Sequence, residues 1–197
     1  MNLKRNIDTG RLIRCFIAIT IDDHTKRRLC QVQKAIRATG IHAGWPPSKN
    51  FHLTLKFLGD IPEQTLPCIK TVLSEAIAQS HCFNIKFNRI GFFPNARHPK
   101  TIWIGPDKAS PELITLKQTI DAKLKRCHQC TKEKNFSPHI TLSRIRHKVS
   151  PSKLQKIFNL KTGAITYSVE QVHLIKSRLS PSGAVHTSIF QANMNAS

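Results

Sequence analysis

Two short segments of the chain carry the same pattern of side chains suited to acid–base chemistry. His52 and Thr54 are separated by one leucine, His139 and Thr141 by one isoleucine, and a leucine follows each threonine. Of the ten histidines in the sequence, only these two have a threonine two positions downstream. Residues two apart in a β-strand point to the same face. Each segment therefore predicts a strand that holds an imidazole beside a hydroxyl.

Two imidazoles that face one cleft could act as an acid–base pair. Because free histidine titrates near pH ~6.5, one ring can be neutral while the other is protonated close to neutrality. The neutral ring can accept a proton while the imidazolium donates one, as in-line displacement at phosphorus requires. The threonine hydroxyls can donate hydrogen bonds to non-bridging phosphate oxygens. This chemistry needs neither a covalent nucleophile nor a metal ion, so we expect no metal and no cofactor.

Two other interpretations of the pattern stand beside catalysis. A single His-x-Thr on an amphipathic strand is more often a cross-strand polar pair than a catalyst. Metal binding is the second alternative, but each strand supplies only one good ligand and no acidic third ligand is apparent. A paired-carboxylate mechanism is disfavoured because Asp and Glu number only 11 and lie away from both segments. The duplication of the pattern favours catalysis.

The balance of charge predicts a polyanionic partner. Lys and Arg number 31 against 11 Asp and Glu, which gives a net charge of +20. Such an excess often accompanies nucleic acid binding, although a solvated charged surface would give the same composition. The basic residues are spread along the chain, so charge alone locates no site. No run approaches the roughly 18 apolar residues of a membrane span, and no apolar signal core follows the basic N-terminus, so we expect a cytoplasmic protein without membrane contact.

The six cysteines predict free thiols in a reducing compartment. Four of them stand singly within periodic apolar segments, as small buried hydrophobic residues do. Cys127 and Cys130 form a lone CxxC pair, but a zinc site would need a second pair of ligands at suitable spacing. We therefore expect these two to be free thiols at the end of a helix.

Hydrophobic periodicity and turn residues predict about eight strands and four helices. The expected strands cover 14–21, 52–59, 83–90, 101–105, 137–144, 165–169, 171–179 and 185–190, and the expected helices cover 22–37, 62–79, 111–125 and 150–158. Strands and helices do not alternate strictly, which favours an α+β fold with mostly antiparallel sheets. Residues 91–99 are rich in turn formers and predict a loop.

The arrangement of these elements predicts one domain with two lobes. Each lobe would contribute one His-x-Thr strand. We expect a flexible lead over 1–11, a single domain over 12–190 and a flexible tail over 191–197. Similarity between the two halves outside the motif is faint, so any internal repeat would be one of structure alone.

Together these segments resemble the 2H phosphoesterase superfamily, which is defined by paired His-x-Thr/Ser motifs followed by a hydrophobic residue. Within it the sequence is similar to the bacterial and archaeal RNA 2′,3′-cyclic phosphodiesterases, also called 2′-5′ RNA ligases. The resemblance covers roughly residues 12–190. It is carried by the opening strand at 14–18, Trp45, the two motif segments at 52–59 and 136–144, and the segments at 91–94 and 103–105.

The resemblance implies a bilobal fold with pseudo-twofold symmetry, in which helices flank the sheets and both motifs line a central cleft. It also implies hydrolysis of a terminal ribose 2′,3′-cyclic phosphate to a 2′-phosphomonoester. By the family pattern, His52 would be the proton donor to the leaving 3′ oxygen and His139 the proton acceptor that activates water. Thr54 and Thr141 would bind the phosphate oxygens.

Two arginines are further candidates for substrate binding. Arg144 matches the arginine that usually follows the second motif in the family and contacts the phosphate. Strand parity alone places it on the face opposite His139, so a position in the cleft would require a bulge or a strand end; a solvated surface arginine is the alternative. Arg97 is a weaker candidate for contacting the RNA backbone. Phe93 and Trp103 could stack on bases, but a role in the core or in anchoring a loop is favoured.

These observations lead to a functional hypothesis with two rivals. The hypothesis is a metal-independent, monomeric RNA 2′,3′-cyclic phosphodiesterase with reversible 2′-5′ ligation as a side activity, acting on RNA ends such as those of tRNA fragments. One rival is a non-catalytic RNA-binding module on the same fold. The other is a phosphodiesterase for small cyclic nucleotides or 2′-5′ linked oligonucleotides, against which the basic composition argues mildly.

Overall fold

Two four-stranded antiparallel sheets carry the two His-x-Thr segments. The structure is a computed structural model, and it describes residues 11–127, 136–181 and 183–196. The helices among the described residues are α1 (Asp23–Ala38), α2 (Leu66–Ile77), α3 (Pro111–Leu124) and α4 (Pro151–Phe158). The strands are β1 (Leu12–Thr20), β2 (Ala43–Gly44), β3 (His52–Pro62), β4 (Phe83–Phe87), β5 (Arg89–Phe93), β6 (Thr101–Gly105), β7 (Ile140–Ile145), β8 (Ile165–Val169), β9 (Gln171–Ser180) and β10 (Gly183–Asn193).

Each four-stranded sheet forms the centre of one lobe. The first sheet has the strand order β10-β9-β1-β3 and the second the order β2-β7-β6-β5, while β4 and β8 form a separate pair. Helices α2 and α3 pack against each other and against strands of the first sheet, whereas α1 and α4 contact β7 and β5 of the second. Strands β3 and β7 lie in contact where the lobes meet. The predicted α+β class with antiparallel sheets is confirmed.

The helix boundaries follow from local capping. Asp22 precedes α1 and its carboxylate accepts a hydrogen bond from the backbone N–H of Thr25 at 2.6 Å. Ser110 caps α3 in the same way, accepting from Leu113 N–H at 3.3 Å. Both side chains satisfy donors that the first turn leaves without an intrahelical partner. The buried residues of α1 (Thr25, Leu29, Val32 and Ile36) recur at helical spacing, as the sequence predicts.

Several element boundaries differ from the sequence-based expectations. Strand β3 continues beyond residue 59 to Pro62, because the fully buried Ile61 pairs with Ile13 of β1. The helix expected from residue 62 therefore begins at Leu66. The predicted single strand over 83–90 is two strands, and residues 91–93, expected in a loop, belong to the second.

The chain changes sheets at Asn88, which separates β4 from β5. Strand β4 pairs with β8, and β5 pairs with β6. The side chain of Asn88 accepts a hydrogen bond from Asp107 N–H at 2.9 Å, and its backbone N–H donates to Gly105 at 3.1 Å. The alternation of polar and apolar residues is interrupted at this point, because Asn88 and Arg89 are consecutive polar residues. The prediction of one strand over 83–90 overlooked this interruption.

The expectation that all six cysteines are free thiols is wrong for two of them. Cys68 in α2 and Cys127, just beyond α3, form a disulfide with a Cα–Cα distance of 5.7 Å. The two helices pack side by side, which brings residues 59 positions apart in sequence into bonding distance. Cys15 and Cys30 are free thiols. Cys130 lies outside the described residues.

The C-terminal strand is longer than the expected 185–190. Strand β10 runs to Asn193, and Ala192 and Met194 are buried. The expected flexible lead falls almost wholly on residues 1–10, which lie outside the described part of the chain. None of the helices that the structure describes has the length and apolar character needed to span a bilayer.

Candidate active site

The first histidine is fixed at the beginning of β3. His52 pairs with Thr20 of β1, and Thr54 pairs with Ala18. Leu53 and Leu55 point to the opposite side, where both are almost completely buried in the core. His52 and Thr54 are half-buried, as expected for side chains that line a cleft. The alternation of the segment thus produces the arrangement that the sequence predicts.

The second histidine lies just before β7 instead of within it. Strand β7 begins at Ile140, and His139 precedes it. Thr141 pairs with Trp103 of β6 and, like His139, is half-buried. Ile140 and Leu142 are fully buried on the other side. The strand expected over 137–144 is therefore shorter, but the side chains of the motif keep the predicted alternation.

A bulge follows each His-x-Thr segment at the same place. In β3, Ile17 is opposite Lys56 and Ala18 is opposite Thr54, so Leu55 has no partner across the ladder. In β7, Ile102 is opposite Ser143 and Trp103 is opposite Thr141, so Leu142 is the extra residue. Both strands therefore depart from ideal parity directly after the threonine of the motif.

Each bulge changes the face of the sheet to which the side chains after it point. Leu142 and Ser143 are consecutive and both fully buried, after which Arg144 is exposed. Leu55 and Lys56 are likewise buried in succession, and the next residue, Phe57, is 63% exposed. Arg144 therefore lies on the same face as His139 and Thr141. In an ideal strand it would lie on the opposite face. Phe57 occupies the corresponding position in the other half.

Backbone carbonyls hold the two catalytic candidates in the same tautomer. His52 Nδ1 lies 2.7 Å from the carbonyl oxygen of Asn50, and His139 Nδ1 lies 2.8 Å from that of Ser137. A carbonyl oxygen can only accept, so Nδ1 carries a proton in each ring. In the neutral ring the lone pair is then on Nε2, which can accept a proton, and in the imidazolium Nε2–H can donate one.

The surroundings lower the pKa of both imidazoles. Burial lowers the pKa of His52 to about 4; the Asn50 hydrogen bond opposes the shift, and positive charge on Arg144, or on His186 or His139 when either is protonated, lowers the pKa further. Burial also lowers the pKa of His139, against the hydrogen bond to Ser137 and with a contribution from Arg144. The contact between β3 and β7 and the electrostatic effect of His139 and Arg144 on His52 together indicate that the three side chains line one cleft.

The two threonine hydroxyls are available to a ligand. Among the described residues, neither Thr54 nor Thr141 forms a side-chain hydrogen bond. Each hydroxyl shares a strand face with a histidine whose Nδ1 is already bonded to the backbone. We call the group His52, Thr54, His139, Thr141 and Arg144 the centre. It presents two imidazole Nε2 atoms, two hydroxyls and one guanidinium, a set that can bind a phosphate and move protons to and from it.

Aromatic rings support His139 from one side. The Phe93 ring meets it edge-on with centroids 4.8 Å apart, and Phe93 stacks on Trp103 at 5.1 Å. The indole lies against Gly91 and Gly105, where a Cβ atom would overlap neighbouring atoms. Trp103 is 8% exposed. Its burial agrees with the favoured expectation of an anchoring role, and Phe93 contributes to the same support.

Arg97 is not brought to the centre. It lies in the exposed loop between β5 and β6, where its backbone N–H donates to the Asn95 side chain at 3.0 Å. Within the described part of the chain, no contact joins Arg97 to either motif histidine.

A third histidine, which the sequence analysis did not single out, adjoins the centre. His186 in β10 lies with its ring centroid 5.3 Å from that of His52. It is followed two positions later by Ser188, not threonine, and so falls outside the pattern used to find the others. A search for His-x-Ser as well as His-x-Thr would have included it. Over the described residues, no group of three or more His, Cys, Asp or Glu side chains is arranged to hold a metal ion.

The two lobes, each with one His-x-Thr element, have the architecture of a 2H phosphoesterase. The chain belongs to the 2′-5′ RNA ligase superfamily, whose family profile matches residues 21–180. It is 31% identical over 176 residues to a protein of Archaeoglobus fulgidus named RNA 2′,3′-cyclic phosphodiesterase, covering 88% of this chain and 96% of that one. A protein of the same name from Methanothermobacter thermautotrophicus is 26% identical over 89% of this chain and 95% of its own.

Solved structures share the fold. The protein TT0787 of Thermus thermophilus superposes with a TM-score of 0.78 at 22% identity, covering 93% of this chain and 99% of the other. Escherichia coli LigT complexed with 3′-AMP gives a TM-score of 0.72 at 18% identity, with 94% and 99% covered. At these identities the structural likeness establishes the fold alone.

Proposed function

We propose that this protein hydrolyses the 2′,3′-cyclic phosphate at the end of an RNA to a 2′-phosphomonoester, with His52 and His139 as acid and base. The observation that carries the proposal is that both rings have the same tautomer. Each Nδ1 is bonded to a carbonyl two residues upstream, so each Nε2 is free for proton transfer. The curated relatives described above are named for an activity on the same linkage.

The proposed reaction balances with these two rings. Water attacks phosphorus and gives a proton to Nε2 of neutral His139, while the bond from phosphorus to the 3′ oxygen breaks and that oxygen takes the Nε2 proton of His52. One P–O bond forms and one breaks, His52 has lost a proton and His139 has gained one. Exchange with solvent restores the starting state.

Substrate binding would prepare His52 for the role of acid. Its lowered pKa means that the free protein holds this ring neutral at pH 7. An anionic phosphate next to the ring favours the imidazolium and therefore raises the pKa of His52. Thr54, Thr141 and Arg144 would bind the phosphate oxygens, and Arg97 would contact the RNA chain only away from the phosphate.

The same groups could run the reaction with an RNA 5′-hydroxyl in place of water. Attack by that hydroxyl on the cyclic phosphate would form a 2′-5′ linkage, and its reversal would use the same acid and base with exchanged roles. We further propose a metal-independent monomer acting on RNA ends, such as those of tRNA fragments, in the cytoplasm. The free thiols of Cys15 and Cys30 favour a reducing compartment, whereas a disulfide such as Cys68–Cys127 is more typical of an oxidising one.

An oligonucleotide ending in a 2′,3′-cyclic phosphate, incubated with a chelator present, tests the proposal. We expect the wild-type protein to yield a 2′-phosphate and His52→Ala and His139→Ala each to lose activity by on the order of a thousandfold. His98→Ala, in the exposed loop after β5, is the control that should retain activity. Turnover that survives both active-site substitutions would contradict the mechanism, and a 3′-phosphate product would contradict the proposed leaving group.

Salt-sensitive RNA binding without turnover would favour a binding module instead. Turnover of cyclic mononucleotides but not of oligonucleotides would favour a small-molecule phosphodiesterase. The same assay, run with both substrates, separates these outcomes.

A further inference from the structure

A third imidazole lies against the ring of His52. The His186 ring meets the His52 ring at 84° with centroids 5.3 Å apart, and it meets Phe16 at 83° and 5.1 Å. Phe16 also contacts His52 directly at 4.8 Å. The three rings therefore form one cluster across the first sheet, although His52 is in β3 at one edge and His186 is in β10 at the other.

Asn50 connects the strand of His186 to the loop that precedes His52. Its side-chain amide donates a hydrogen bond to the carbonyl of Ala184, two residues before His186, at 2.9 Å. Its own backbone carbonyl is the acceptor for His52 Nδ1 at 2.7 Å. One residue thus fixes both histidines, which makes the distance between their rings a property of the fold.

The environment of His186 favours the tautomer opposite to that of the other two. Its Nδ1 is buried and has no hydrogen-bond partner among the described residues. A proton on that nitrogen would be a buried N–H without an acceptor, which is costly. The neutral ring therefore keeps its proton on Nε2. His52 and His139 have their protons on Nδ1, because a carbonyl oxygen accepts there.

The neutral state of His186 is supported by its neighbours. Burial lowers its pKa, and the positive charge of Arg144 lowers it further. The facing titratable group on β3 is His52, Phe16 faces it from β1, and Arg144 acts on it from β7. These neighbours include no carboxylate that would favour the imidazolium.

We infer that His186 is a third substrate-binding histidine, whose neutral Nε2–H donates a hydrogen bond to a phosphate oxygen beside His52. This inference rests on the proposed function. The site would then hold two imidazoles that exchange protons through Nε2 and one that keeps its Nε2 proton and only donates. A neutral donor binds the phosphate without adding a positive charge next to His52, which must itself become protonated to act as the acid.

Two substitutions distinguish donation from packing. His186→Phe keeps an aromatic ring against Phe16 and His52 but removes the donor, whereas His186→Gln removes the ring and keeps an N–H donor. We expect His186→Phe to lower kcat/KM for the cyclic phosphate roughly tenfold to a hundredfold and to weaken inhibition by a nucleoside 2′-monophosphate. His186→Gln should recover most of that loss.

Each other result overturns the inference. If His186→Phe matches the wild type and His186→Gln is impaired, the residue acts through packing. Equal large losses in both variants would mean that ring titration, not donation, is required. If neither variant changes kcat/KM or inhibition, His186 does not touch the substrate.

The tautomer can be measured without any activity. Two-bond ¹H–¹⁵N spectra of the free protein, with His186→Phe used to assign the signals, should show His186 protonated at Nε2 and both His52 and His139 protonated at Nδ1. A proton on Nδ1 of His186 would overturn the inference. If the wild-type protein fails to turn over cyclic phosphate, the proposed function fails, but this spectrum still decides the state of His186.

Discussion

The pKa and the tautomer of each histidine in this site are determined by the groups around it. His52 and His139 are common residue types, yet burial lowers the pKa of both and a carbonyl fixes the tautomer of both. The sequence predicted both histidines and their threonines because strand alternation is local. It could not predict the lowered pKa values, since these depend first on the burial of each ring in the folded chain and then on charged side chains from other strands, such as Arg144 of β7.

The lowered pKa values predict an acid-shifted pH profile. The active form of the free enzyme has one ring protonated and one neutral, and a lowered pKa means that this form becomes populated only as the pH falls. We expect kcat/KM to reach its maximum below pH ~6.5, the ordinary value for histidine. In the substrate complex the phosphate anion raises the pKa of the facing ring, so kcat should peak at a higher pH than kcat/KM.

Initial rates measured across the acidic and neutral range would provide both profiles. His24→Gln, on the exposed face of α1, is a suitable control because it removes an exposed histidine that makes no ring contact with His52 or His139 among the described residues. A maximum of kcat/KM at or above neutral pH would mean that burial does not dominate the titration of these rings.

Arg144 is predicted to act both on the phosphate and on the titration of the histidines. Arg144→Gln should lower kcat/KM on the order of a hundredfold, since a charge-assisted contact to phosphate is lost. Its positive charge also lowers the pKa of His52 and His139, so its removal should shift the maximum of kcat/KM to higher pH. Arg146→Gln, an exposed arginine just beyond β7, is the matched control for net charge and should change neither.

At the scale of elements, the bulges explain why parity alone misplaced Arg144. It lies five residues after His139, and an ideal strand would put the two on opposite faces. The extra residue in β7, Leu142, restores the shared face. Bulges depend on the ladder formed with the neighbouring strand, so a sequence can require one without revealing it. The equivalent bulge at Leu55 in β3 exposes Phe57 by the same geometry.

The Cys68–Cys127 disulfide predicts a stability that depends on redox conditions. It links α2 to the end of α3 and closes a loop of 59 residues, for which chain entropy gives a stabilisation of up to about 4 kcal/mol. We expect reduction to lower the free energy of unfolding by about 2 to 4 kcal/mol in urea titrations. Cys68→Ala should be as unstable under oxidising conditions as the reduced wild type.

Cys30→Ala, which removes a free thiol, should keep the difference between oxidised and reduced protein. An unchanged unfolding midpoint after reduction would show that α2 and α3 are held together by packing alone. The sequence could not predict this bond, because the pairing depends on how the two helices lie against each other.

Across the whole molecule, the class of fold was predictable and the order of the strands was not. Apolar periodicity located the four helices of the described residues and most strands, because each buries one face locally. The change of sheets at Asn88 and the strand order β10-β9-β1-β3 depend on long-range pairing. That order brings His186 next to His52. The search for the His-x-Thr pattern could not identify this third histidine, because its position depends on the strand order.

The basic residues that give the net charge of +20 are spread along the whole chain. If these residues bind RNA through its phosphates, each neutralised phosphate adds to the salt dependence of binding. With about four such contacts, the affinity for a single-stranded oligonucleotide should fall roughly fiftyfold between about 50 and 200 mM salt. A cyclic mononucleotide makes a single phosphate contact, and its affinity should fall only about threefold over the same range.

Measuring kcat/KM for both substrates across this range of salt concentration tests the prediction, because salt effects on the chemical step would appear equally in the two. Equal slopes would mean that the positive charge of this chain does not contribute to binding the RNA chain beyond its terminal phosphate.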